Sequence, residues 1–176
     1  MKAYMALSCK VGAFDRVLDE IIKMNVMART LSEREPDVFL LFGPVDILVQ
    51  FNELKDFDEF ITKWFTPIRM ITADEPLIER TQTWIVISEG KSFVEEPYAF
   101  LFLNTQPRYL EKVQRALQAI PQVLSADTVF GPYDVICALR AKNKVELQRL
   151  LTRVQKEVPY IQGTMTEIVA STAHPS

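Results

Sequence analysis

The chain is poor in the residues that most metal and nucleophile chemistry requires. It has one histidine, His174, and two cysteines, Cys9 and Cys137, among 176 residues. His174 stands third from the end, which leaves no room for a histidine-based triad or a multi-histidine metal site. It is expected in an exposed tail, and no helix offers a histidine to a heme. The cysteines lie far apart in apolar surroundings and form no CxxC pair, which argues against a zinc site or a disulfide framework. Each reads as a small buried hydrophobe in a strand. Glycine is also scarce, with five in all, and none builds a phosphate-cradling loop. No apolar run approaches the roughly 20 residues that span a bilayer, so no membrane association is expected. The start, Met1-Lys2-Ala3-Tyr4, enters a strand pattern rather than a signal-peptide core, and a cytoplasmic setting is expected. Charge of one sign is missing too. Twenty basic residues meet twenty-three acidic ones, for a net charge of -3. No basic tail or stripe stands out, and Lys91, Arg108 and Lys112 are too scattered for a nucleic-acid groove. Direct sequence-specific DNA binding is therefore not expected, and neither a metal nor a cofactor is implied.

What is present is an apolar fraction of 48%, enough for a real core, and an internal duplication. Phe42-Gly43-Pro44-Val45-Asp46-Ile47-Leu48-Val49 returns as Phe130-Gly131-Pro132-Tyr133-Asp134-Val135-Ile136-Cys137. Tyr4 is matched to Tyr98 and Val17 to Val113. Ile78-x-x-Thr81-x-Thr83-x-Ile85-Val86 reappears as Ile161-x-x-Thr164-x-Thr166-x-Ile168-Val169. The spacing between matches implies about eight extra residues in the first copy, between its first helix and the Gly-Pro turn.

Each copy reads β-α-β-β-α-β. In the first, a strand at Ala3 to Cys9 precedes Phe14, Val17, Leu18, Ile21 and Ile22 at helical spacing. Ile47 to Phe51 leaves the turn as a strand. Phe57, Phe60, Ile61 and Trp64 mark a second helix, capped by Asp56 with Glu59. Thr81 to Ile87 forms the last strand. In the second copy, Tyr98 to Leu103 is a strand and Leu110, Val113, Leu117 and Ile120 mark a helix. Val135 to Leu139 follows the turn. Leu147, Leu150, Leu151 and Val154 line a helix capped by Asn143 with Glu146, and Thr164 to Ala170 closes the unit. These boundaries give domains at 1–88 and 98–171, a linker at 89–97 that includes Glu95 and Glu96, and a tail at 172–176.

A lone unit of this kind leaves one sheet face in water, so its strands should alternate. They do not. Tyr98-Ala99-Phe100-Leu101-Phe102-Leu103 and Val135-Ile136-Cys137-Ala138-Leu139 are apolar on both faces. Each buried Leu or Phe contributes about 1.5–3 kcal/mol, so a second layer is expected. The α+β fold that results is a tandem of ferredoxin-like units packed sheet to sheet, a pseudo-dimer of dimeric α/β-barrel type. Packing against a second chain is the alternative.

The second copy then supplies a recognisable pattern. Ala119-Ile120-Pro121-Gln122-Val123 precedes a strand. Gly131-Pro132-Tyr133-Asp134-Val135-Ile136 follows, and then Val158-Pro159-Tyr160-Ile161-x-x-Thr164-x-Thr166-x-Ile168-Val169. This resembles the ligand-binding (RAM) domain of the Lrp/AsnC, or feast/famine, regulators. The resemblance covers Tyr98 to Ala170. The first copy keeps Gly43, Asp46, Thr81 and Thr83 but has Val45 where the second has Tyr133. The family's helix-turn-helix is missing from the sequence read here. The resemblance implies a small-molecule effector, commonly an amino acid, bound near the turn. It also implies a homodimer or higher oligomer, and association with a helix-turn-helix regulator.

The expected ligand-binding residues are Gly131, Tyr133, Asp134, Thr164 and Thr166, with Gly43, Asp46, Thr81 and Thr83 in the first copy. The carboxylate of Asp134 or Asp46 suits an ammonium group, and threonine hydroxyls and backbone amides suit a carboxylate. Each has a plainer reading. Asp bonds backbone N–H groups in turns, Gly shapes turns, Tyr133 fills space, and Thr favours strands. The expected function is a non-catalytic sensor or regulatory module, with no catalytic residues. A structural or assembly module is the alternative. A cofactor-independent enzyme of the dimeric α/β-barrel class, which includes small monooxygenases, also stays open.

Overall fold

The two repeats use the same local devices, and a computed structural model describes them over residues 1–31, 33–72 and 74–173. His174 lies outside the described residues. Strand β1 (Ala3–Cys9) leads to helix α1 (Phe14–Thr30), then β2 (Asp37–Phe42) and β3 (Ile47–Phe51). Helix α2 spans 57–69 and changes pitch: Phe57–Glu59 and Thr66–Arg69 are α-helical, and Phe60–Phe65 between them is π-helical. Strand β4 (Ile78–Ser88) ends this repeat. The second has β5 (Ala99–Thr105), a short 3-10 turn Pro107–Tyr109, and α3 (Leu110–Gln118). Strands β6 (Val123–Phe130) and β7 (Val135–Leu139), helix α4 (Lys144–Glu157) and β8 (Ile161–Ala173) follow. The duplication of a β-α-β-β-α-β unit is thus the architecture, of the ferredoxin-like, dimeric α/β-barrel class.

The extra residues of the first copy lengthen its first helix, and do not lie between that helix and the Gly-Pro turn as the spacing suggests. α1 has 17 residues and α3 has 9, a difference of eight. Val17 and Val113 both have no exposed surface. The strand registers correct one match. Ala3 pairs with Phe51, and Ala99 pairs with Leu139. Tyr4 therefore corresponds to Phe100, not to Tyr98. Both second helices are capped as the sequence indicates. The Glu59 N–H donates to Asp56 Oδ1 and the Glu146 N–H to Asn143 Oδ1, each at 2.9 Å. The aromatic stripe of α2 is divided: Phe60 and Trp64 are buried and pack on Phe51, while Phe57 is 52% exposed.

The chain divides into two compact units, Met1–Thr83 with the residues from Ala170 onward, and Trp84–Val169. In the first, β3 lies between β1 and β2 with antiparallel pairing. In the second, the antiparallel order is β8-β5-β7-β6-β4. Strand β4 thus passes from the first unit into the second, where Ile85, Val86 and Ser88 pair with Phe130, Val129 and Thr128. The connection to β5 is mostly exposed, with two polar ties to the second unit. The Gly90 N–H donates to Asp127 Oδ1 at 2.6 Å, and Glu95 forms an ion pair with Arg140. A Cβ at Gly90 would stand 2.5 Å from the Ala126 backbone nitrogen, so only glycine fits without a shift.

The inner strands of the second unit's sheet, β5, β6 and β7, are buried on both faces, as their apolar runs require. One face, with Ala99, Leu101, Leu103, Ala126 and Cys137, packs under Val113, Leu117, Leu147 and Leu150 of the helices. The other carries Phe100, Phe102 and Ile136, all with at most 1% exposure, and the Trp84 ring lies tilted beside Phe102 with centroids 5.4 Å apart.

Candidate functional site

Both Gly-Pro-x-Asp turns are built by the same bonds. The Asp46 N–H donates to the Leu7 carbonyl and its own carbonyl accepts from the Leu41 N–H, each at 2.9 Å. Asp134 repeats this with Leu103 at 3.0 Å and Val129 at 2.9 Å. The carboxylates close the arrangement. The Cys9 N–H donates to Asp46 Oδ2 at 2.7 Å, and the Thr105 N–H donates to Asp134 Oδ2 at 2.9 Å. Each aspartate thus joins the end of its repeat's first strand to the start of its third. A strand-end amide that would otherwise lack a partner is satisfied, which is the plain reason for aspartate here. The two glycines differ: Gly43 has φ 154° and Gly131 is not among the positive-φ glycines.

Around this common frame the repeats diverge. Val45 is buried, and the Ser8 hydroxyl donates to the Pro44 carbonyl at 2.9 Å. In the second repeat Tyr133 is half-buried. Its ring lies 5.7 Å from that of Phe102, and its hydroxyl donates to Met165 Sδ at 3.6 Å. Asn104 succeeds Phe102 on the same face of β5. Its Oδ1 is buried and accepts no hydrogen bond. Gly163 lies directly across from Asn104, and a Cβ there would meet nothing within 4 Å. Tyr133, Asn104 and Met165 therefore share one end of one sheet face, and Asp134 bonds the strand beside them. A buried carbonyl oxygen without a donor is costly, by about 1–3 kcal/mol, and such oxygens mark places where a ligand or water donates. Sequence reasoning missed Asn104, because a polar residue near a strand end looks like an ordinary solvated end.

The threonines are elsewhere. Thr164 pairs with Leu103 and Thr166 with Leu101, so both stand on the helix-covered face, opposite Tyr133. Thr81 and Thr83 alternate along β4 with buried Trp84, away from its side of the strand. Thr164 lines a separate cleft of about 470 Å³ with Gly163, Gln162 and Tyr160. Tyr160 has φ 67°, a strained value for an aromatic residue. It is held by stacking on Tyr109 at 3.7 Å and by the Thr105 hydroxyl, which donates to its carbonyl at 2.8 Å.

Neither thiol is poised to react. Burial, with a smaller contribution from the Asp46 carboxylate, pushes Cys9 up to about 11. Burial also pushes Cys137 upward, with Asp127 adding to it. The described residues contain no group of three His, Cys, Asp or Glu that could hold a metal ion. No helix among them is long and apolar enough to cross a membrane.

Comparison with known proteins gives the geometry a family. Residues 98–176 match the Lrp/AsnC ligand binding domain. A hypothetical protein from Pyrococcus horikoshii is 30% identical, over 43% of this chain and 90% of its own, with a TM-score of 0.38. A protein from Thermus thermophilus is 27% identical, over 44% of this chain and 96% of its own, with a TM-score of 0.40. Over 98% of this chain and 72% of its own, the siroheme decarboxylase NirDL has a TM-score of 0.63 but only 6% identity, a likeness of fold alone. No curated protein matches the chain.

Proposed function

Because the chain belongs to the Lrp/AsnC ligand-binding domain family through its second repeat, we propose that this repeat senses an amino acid or a similarly small amine-bearing metabolite. The module is a non-catalytic effector-binding unit of that family. In our reading its ligand lies beside the turn Gly131-Pro132-Tyr133-Asp134. The observation that carries the proposal is Asn104 Oδ1, a buried acceptor with no donor, on the strand whose next residue, Thr105, donates its N–H to Asp134. An ammonium group supplies up to three N–H donors, which Asn104 Oδ1 and the Asp134 carboxylate can accept. Tyr133, Phe102 and Met165 offer apolar and aromatic surface to the rest of the molecule. Thr164 and Thr166, like Thr81 and Thr83, act in this reading as strand formers. In the first repeat, Gly43 and Asp46 serve the turn, because Val45 and Ser8 close the corresponding space.

The family also supports self-association and pairing with a helix-turn-helix protein, which would carry the signal to DNA. Light scattering at micromolar concentration tests the first. Calorimetry against the twenty amino acids tests the ligand. Asp134→Asn keeps an oxygen for the Thr105 amide while removing the charge, and should weaken binding about 30-fold. Asn104→Leu should weaken it about tenfold. No heat of binding from any of the twenty, with the protein folded, overturns the amino-acid reading. Unchanged affinity in both variants moves the site away from this turn.

A further inference from the structure

Two clefts occupy matching places in the two repeats. In the first, Glu33 and Arg34 before β2, Asn52 and Lys55 after β3, and Glu59 and Lys63 on α2 bound about 420 Å³. In the second, Gln122 before β6, Arg140 and Lys142 after β7, and Glu146, Arg149 and Arg153 on α4 bound about 460 Å³. The same backbone device shapes both. The Lys55 N–H donates to Glu59 Oε2 at 2.6 Å, and the Lys142 N–H donates to Glu146 Oε2 at 2.9 Å.

The charges do not match. The first cleft is neutralised from within: Arg34 pairs with Glu53, and Lys63 pairs with both Glu33 and Glu59. The second sets four cationic side chains against one carboxylate, Glu146, and that carboxylate is tied to the start of α4. Arg140 and Arg153 turn to Glu95 and Glu157, neither of which lines the cleft. Lys142 and Arg149 enter no ion pair among the described residues. Arg149 and Arg153 lie four apart on one helix face, where like charges repel. A chain of net charge -3 thus concentrates positive charge in one concave place.

We infer that the second cleft binds a small phosphate-bearing anion. Guanidinium groups match phosphate oxygens in two-pronged fashion, and lysine adds a point charge. A multiply charged phosphate balances several cations, which a single carboxylate ligand does not. Leu150 and Pro121 give the cleft an apolar part, and its volume suits a small molecule. This site is separate from the turn at Gly131 to Asp134, and its existence does not depend on what binds there.

The test titrates the full chain with pyrophosphate, followed by calorimetry at low and physiological salt. Saturable binding that weakens with salt is expected, with about a tenfold loss in Arg149→Gln. Lys142→Gln should lose a similar factor and stands in if the first variant misfolds. Lys63→Gln, in the neutralised cleft, should bind as the parent does. Absence of saturable binding at millimolar pyrophosphate overturns the inference. So does equal weakening by Lys63→Gln. A duplex oligonucleotide that binds where pyrophosphate does not also overturns it, and assigns the cleft to nucleic-acid phosphates.

Discussion

The two repeats share one frame and differ in the side chains set around it. The Asp46 and Asp134 turns match bond for bond. Yet Ser8 is bonded to the turn where Asn104 has a free acceptor oxygen, and Val45 is buried where Tyr133 is half-exposed. One helix-side cleft is ion-paired and the other is cationic. Main-chain hydrogen bonds preserve the shared frame, while the side chains at its margins differ between the repeats.

Four changes would break or sharpen this contrast. The largest effect is expected from Phe102→Ala, which gives β5 the residue that β1 has at Ala6. Phe102 is fully buried between Trp84 and Tyr133, and the change should cost about 3–5 kcal/mol, read by urea denaturation. A loss below 1 kcal/mol would mean that the aromatic layer is not what holds this face. Next, Asp46→Ala and Asp134→Ala should each cost about 1–3 kcal/mol by orphaning a strand-end amide. The Asn variants should recover much of it. If only one of the two aspartates matters, the shared frame is not shared energetically.

Much of this was legible in the sequence, and the misses have physical causes. The duplication was visible because the turn and the last strand repeat with fixed spacing; the number of extra residues was legible too, but they extend α1 rather than follow it, since the apolar pattern read from Phe14 to Ile22 does not mark where the helix stops. The match of Tyr4 to Tyr98 slipped by two because a strand presents the same face every second residue, so the pattern tolerates that error. The π-helical Phe60–Phe65 left no signal, since its residues still fall on an apolar face. The cationic cleft was hidden by arithmetic. Arg140, Lys142, Lys144, Arg149 and Arg153 stand within 14 residues with Glu146 alone among them and Glu157 just beyond, a local excess that the overall net charge of -3 conceals. Folding turns one acid into a helix cap and directs the other outward. Like charges four apart on α4 were the available clue.

The third change concerns pH. Cys9 titrates at about 11 in the folded chain against an ordinary value of 9.0. Its contribution is therefore fully present below pH 9 and is lost as pH rises toward 11. At pH 8 its alkylation should be about a hundredfold slower than that of an unfolded thiol, from the smaller thiolate fraction. Equal rates in native protein and in urea would contradict the burial of that strand end. The smallest effect belongs to Glu53→Gln, which unpairs Arg34. Both side chains of this pair are more than half exposed, so stability should change by less than about 1 kcal/mol. Its value lies in binding: if pyrophosphate then also engages the first cleft, charge alone distinguishes the two.

The crossing of β4 has a consequence for how the protein can be taken apart. Residues Ile85 to Ser88 come from the first repeat's sequence but cover the outer side of β6. A fragment begun at Tyr98 would keep every element of the second repeat and still expose a row of unpaired main-chain groups along β6. Such an edge is a template for another strand, from a second fragment or an aggregate. The gene-level unit of duplication and the smallest piece able to stay monomeric are thus different lengths. Fragments meant to isolate the ligand-binding half should begin before Trp84, so that they carry their own protective strand with them.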